Sequence, residues 1–89
     1  MTKLSEETIE MLRKYIVSEI IVTKITEEDI EEIFGILAAN ITGLVEEIET
    51  KGNATEENYR LLKELDDALD EINETENIDF KDLNERLKQ

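Results

Sequence analysis

Cysteine, histidine, proline and tryptophan are all missing from this chain, and aromatic residues make up only 4% of it. Without cysteine there is no disulfide and no thiolate chemistry, which fits a reducing compartment. Without cysteine or histidine the ordinary zinc sites cannot form, and the Glu-x-x-His motif of bundle di-metal centres is impossible. The usual activated nucleophiles are missing as well, because a serine needs a base beside it. Ser5 and Ser18 are the only serines, and Ser5 is better explained as a helix cap. The three glycines stand at positions 35, 43 and 52, too far apart for a phosphate-binding loop. No EF-hand spacing occurs. Two positioned carboxylates in a cleft would allow glycosidase chemistry, but 89 residues leave little room for a cleft. No apolar run, Ile20 to Val22 included, is long enough for a membrane span or a signal peptide. The expectation is therefore a cytoplasmic, non-enzymatic protein with no cofactor and no metal.

Cations are also scarce. Ten Lys and Arg face 24 Asp and Glu, for a net charge of −14. Nucleic-acid binding needs cations to displace counterions from phosphate, so direct contact with DNA or RNA is disfavoured. Anionic membrane surfaces are disfavoured for the same reason. A protein partner with a basic surface becomes attractive, the plain alternative being solubility.

What is present is helical patterning. A chain of 89 residues makes one domain. Ser5, Thr26, Thr55 and Asp79 each precede an amphipathic segment and are positioned as N-caps. Leu4 with Ile9, Ile25 with Ile30, and Ile78 with Leu83 occupy hydrophobic-staple positions, with Ala54 and Tyr59 a weaker pair. Acidic residues fill most of the first turns, as the helix dipole favours. The pattern predicts helices over Glu6–Val22, Glu27–Glu49, Glu56–Glu74 and Phe80–Lys88. The expected fold is all-α, a bundle of three main helices plus a short C-terminal one. Tyr15 to Ile25 is rich in β-branched residues and alone could form a strand; the cap and apolar stripe before it favour helix. Leu37, Ile41, Leu62, Leu65 and Leu69 are expected in the core, with Tyr59 and Ile72 facing inward beside them.

Two surfaces carry the functional expectation. The first is acidic. Glu64, Asp67, Glu71 and Glu74 are spaced three or four apart, which on a helix gives a row with neighbours about 5–6 Å apart. Phosphates along a DNA strand are spaced on a similar scale. With Asp70 beside the row and Glu46, Glu47 and Glu49 near the preceding turn, these residues form a candidate partner-binding stripe. Between Leu61 and Asn77 the only cation is Lys63, an asymmetry unlike an ordinary mixed surface. The bland alternative is a solvated face. Asp66, Asp67, Asp70 and Glu71 could also attract Ca²⁺ or Mg²⁺ weakly, but acids on a polar helix face are usually only hydrated.

The second surface is a candidate for self-association. Tyr15, Val17 and Ile21 add apolar surface beyond what one neighbouring helix would cover. Gly35, Ala39 and Gly43 repeat at four-residue intervals, where another helix could approach closely. Two glycines inside a helix cost about 1 kcal/mol each relative to alanine, and a homodimer seam would offset this.

In size and charge the chain resembles small acidic helical proteins encoded by phages and mobile elements. Many of those inhibit host nucleic-acid enzymes, and no specific residue carries the likeness. The expected function is an inhibitor that occludes the basic nucleic-acid groove of a host enzyme, a DNA mimic of the anti-restriction or anti-CRISPR type. The alternatives are a homo-oligomeric structural or assembly protein, and an immunity or antitoxin protein that neutralises a toxin.

Overall fold

The computed structural model describes residues 1–16 and 24–88, and helix accounts for 74% of them. The fold is all-α. Helix α1 spans Glu6–Tyr15, α2 Ile30–Glu49, α3 Glu56–Glu74 and α4 Phe80–Leu87, and a short 3₁₀ turn at Glu27–Asp29 leads into α2. Among the described residues there is no strand, only an isolated parallel pairing of Thr2 with Ile78. Val17, Ile21 and the expected continuation of the first helix to Val22 lie outside the described residues.

The helices begin where their side chains can satisfy orphan backbone donors. Ser5, Thr55 and Asp79 accept from the backbone N–H groups of Thr8, Asn58 and Asp82 at 3.3, 3.1 and 3.0 Å. The fourth start is built differently. The Asp29 carboxylate reaches back to the Thr26 backbone N–H at 2.8 Å, which winds Glu27–Asp29 into the tighter turn ahead of α2.

Helices α2 and α3 form a hairpin closed at Gly52, whose φ of 73° is left-handed and free of strain only for glycine. Helix α1 lies along the C-terminal half of α3, and α4 packs on α1. The core is therefore confined to one end of the hairpin. Leu4, Ile9, Leu12 and Ile16 seal against Ile33 and Leu37 of α2, Leu65, Ala68 and Ile72 of α3, and Ile78 and Leu83. The molecule is elongated, at 41 × 23 × 23 Å. Its accessible surface of 6071 Å² exceeds the ~5,400 Å² of a compact chain of this mass.

Two expectations about the core change. Leu37 and Leu65 are fully buried, but Ile41, Leu62 and Leu69 are only partly so. Tyr59 was expected inward and is 53% exposed. The buried face of α3 is set by Leu65, Ala68 and Ile72 against α1, and by Tyr59 the chain has passed the end of that contact.

Short α4 would be marginal alone in water. It is held at several points. Asn84 exchanges hydrogen bonds with the backbone of Ile25 at 2.7 and 2.8 Å. Arg86 donates to the carbonyl of Leu4 at 2.7 Å, and Arg13 donates to the carbonyl of Arg86 at the same distance. Thr2 is clamped between Asn77 and Asp79 by two backbone bonds of 2.8 Å.

Candidate functional site

The acidic stripe takes a different shape from the one its spacing implies, and Glu71 is the reason. This carboxylate turns inward to the N-terminus of α1. It accepts from the backbone N–H and the hydroxyl of Ser5, both at 2.7 Å, and from the hydroxyl of Thr8. Thr8 is itself only 2% exposed. Burial pushes the Glu71 carboxyl up, but the hydrogen bonds from Thr8 and Ser5 and the nearby Arg86 charge outweigh it, so its pKa lies below the ordinary value. An anion at the positive end of a helix dipole is stabilised in the same direction. Glu71 thus serves the fold, as the cap of a helix 66 residues away in sequence, with its carboxylate taken up by Ser5 and Thr8.

Glu64 also leaves the row. It is partly buried and lies near Tyr15, where burial and then the Glu64 charge raise the pKa of the phenol. The acids that remain outward between Asp66 and Glu74 are Asp66, Asp67, Asp70 and Glu74, all exposed. Asp67 is paired with Lys63 at 3.1 Å. Asp66, Asp70 and Glu74 have no ion pair among the described residues, and their four-residue intervals place them about 6 Å apart along one line. Asp66 is thus the residue that the spacing argument left out of the stripe. In the sequence Asp66 stands in the Asp66-Asp67-Asp70-Glu71 cluster, beside the stripe residues. Among the described residues no three acidic side chains gather closely enough to hold a metal ion.

The group at the hairpin tip separates from this row. Glu47 is engaged in the turn itself: Asn53 donates to its carboxylate at 2.6 Å and Lys51 at 3.4 Å. The Asn53 bond and then the Lys51 charge lower its pKa. Glu46 and Glu49 are exposed and unpaired among the described residues. About ten residues of helix, roughly 15 Å, separate the start of α3 from Asp66, so the tip and the row are two acidic patches.

Gly35, Ala39 and Gly43 lie on the outer face of α2 and are exposed. A Cβ built at either glycine would meet nothing within 4 Å. Among the described residues no other helix approaches them. Ala38 and Thr42 are exposed on the same face, so its centre is smooth and uncharged. Tyr15 is partly buried at the end of α1.

No family model, no curated protein and no solved structure matches the chain. No helix among the described residues is long and apolar enough to cross a membrane.

Proposed function

We propose that this chain is a non-enzymatic acidic binding protein that occludes the basic nucleic-acid groove of a host enzyme, as an anti-restriction or anti-CRISPR nucleic-acid mimic. The observation that supports it best is the unpaired row Asp66, Asp70 and Glu74 on the outer face of α3. Three carboxylates about 6 Å apart on a rigid helix present charge at intervals close to those of a nucleic-acid backbone, and α3 is fixed by the core on its other side. Exposed ion pairs contribute about 0–1 kcal/mol each, so the row would act collectively and steer association more than it holds the complex.

The test is a nuclease-protection assay. Expression of the chain should protect incoming plasmid or phage DNA in cells carrying a restriction or CRISPR nuclease. The triple variant Asp66→Asn, Asp70→Asn, Glu74→Gln should lose most of that protection while remaining folded. Equal protection by the triple variant would remove the mimicry proposal.

A second possibility has its own observation. The smooth outer face of α2 is left open by the described residues, as the seam of a homo-oligomeric assembly protein would be. Electrostatics oppose it, since Glu31 and Glu32 at one end and Glu46 and Glu49 at the other would meet like charge in a parallel or antiparallel pairing. A toxin-neutralising role would use the same acidic surfaces against a basic toxin.

A further inference from the structure

A groove of about 860 Å³ runs between the start of α2 and the turn that joins α3 to α4. Its floor is apolar, formed by Ile30, Phe34, Ile72, Ile78 and Phe80. The chain has only two phenylalanines; both line this groove, and both are left partly exposed. Phenylalanine is among the residues with most to gain from complete burial. The surrounding structure is firm, since Ile72 and Ile78 belong to the buried core and the turn is clamped by Thr2.

The two rims differ. The α2 side carries Glu27, Glu28 and Glu31, none of them in an ion pair among the described residues. The opposite side is neutral, with Asn73, Thr75 and Asn77. Met1 lines the groove as well, and its terminal ammonium is the one cationic group there among the described residues, with no Lys or Arg. An apolar floor beside a rim of unpaired carboxylates is complementary to one chemistry: a short amphipathic segment with apolar side chains on one face and Lys or Arg along one flank.

We propose that this groove docks a basic amphipathic segment of a partner protein, apolar side chains against Phe34 and Phe80 and cations against Glu27, Glu28 and Glu31. The proposal rests on the function above only in taking the partner to be a basic protein. It adds an apolar anchor to an otherwise electrostatic encounter. Binding through the acid row alone weakens steeply as salt rises, whereas an apolar anchor is little affected by screening. The docking is the helix-in-groove mode, in which side chains at helical spacing enter a hydrophobic trough.

The probe is a short amphipathic helical peptide of Lys, Leu and Phe, titrated into the isotopically labelled full chain and followed by amide chemical shifts. The control peptide has the same composition with its apolar residues scattered around the helix. Saturable shifts should appear at Ile30 to Phe34 and at Asn73 to Phe80, and the control should bind more weakly. Two variants alter the rims without touching the floor. Glu28→Lys with Glu31→Lys should weaken the peptide about tenfold, since each lost pair contributes up to about 1 kcal/mol. Asn73→Trp should block the groove from its neutral rim. Shifts confined to the Asp66–Asp70 face would overturn the proposal. So would equal binding of the control peptide, or unchanged affinity in both variants. The acid row has its own triple variant in the nuclease assay, so failure of the groove and failure of the proposed function give different results.

Discussion

At one end of the α2–α3 hairpin, Ile33, Leu37, Leu65, Ala68 and Ile72 are sealed by α1 and α4. At the other end Ile41, Leu44, Val45 and Ile48 on α2 and Leu61 and Leu62 on α3 are only partly buried, and no residue from 38 to 64 is fully so. Both ends carry apolar residues at helical spacing, and the difference lies in how many helices cover them. Amphipathic periodicity tells which face of a helix turns inward. It does not tell how deeply that face is covered, because the covering helices come from distant parts of the chain.

The contrast can be broken by one pair of substitutions. Leu65→Ala removes a side chain with no exposed surface and should cost about 2–5 kcal/mol, the transfer loss plus the cavity left behind. Leu44→Ala, at the partly covered end, should cost only about 1 kcal/mol, because less area returns to water. Chemical denaturation with each variant measures both. Equal losses would mean that the tip is as tightly packed as the sealed end.

Glu71 gives the next largest effect, and it is specific to the sealed end. Replacing it with Gln weakens the acceptor for Ser5 and Thr8, and partly buried donors left without a good partner cost about 1–3 kcal/mol. The sign of the pH dependence follows from its lowered pKa. A carboxyl whose pKa is depressed by folding stabilises the fold above its ordinary range and loses that contribution as pH falls through its folded value. The gap between the native chain and Glu71→Gln should therefore be full at neutral pH and close in acid. Relief of the overall negative charge acts on both proteins and cancels in the difference. Urea titrations across that range check it, and a gap that stays constant would mean that Glu71 serves by shape and not by charge.

Much of the fold was legible in the sequence because its signals are local. The bounds of α3 agree with those its N-cap and apolar periodicity predict, and Ser5, Thr55 and Asp79 cap as their positions imply. The candidate site was less legible. Glu71 and Glu74 look alike on a helical wheel, and what separates them is Ser5 and Thr8, brought to Glu71 from the other end of the chain. Glu64 left the row for a similar reason, its proximity to α1. The groove was invisible in the sequence, since its walls come from the N-terminal residue, the start of α2 and the α3–α4 turn.

The smallest expected effect sharpens the comparison from the outside of α2. Gly35 and Gly43 lie in helical backbone, and a methyl group at either position meets no atom within 4 Å. Nothing among the described residues requires a glycine there. Alanine should then stabilise the protein by about 0.5–1 kcal/mol per site, through the lower backbone freedom of the unfolded chain and better helix propensity. The gain at Gly35, near the sealed end, should match that at Gly43, near the open end, because neither site takes part in the packing that distinguishes them. A helix seated on this face from a second copy would reverse the sign, since the added methyl groups would push the two backbones apart. Thermal unfolding of Gly35→Ala and Gly43→Ala, with light scattering at several protein concentrations, separates the cases. Higher stability with an unchanged mass means that the face is solvent-exposed in the working protein. A fall in mass, with stability that now depends on concentration, means that Gly35, Ala39 and Gly43 form a seam between copies.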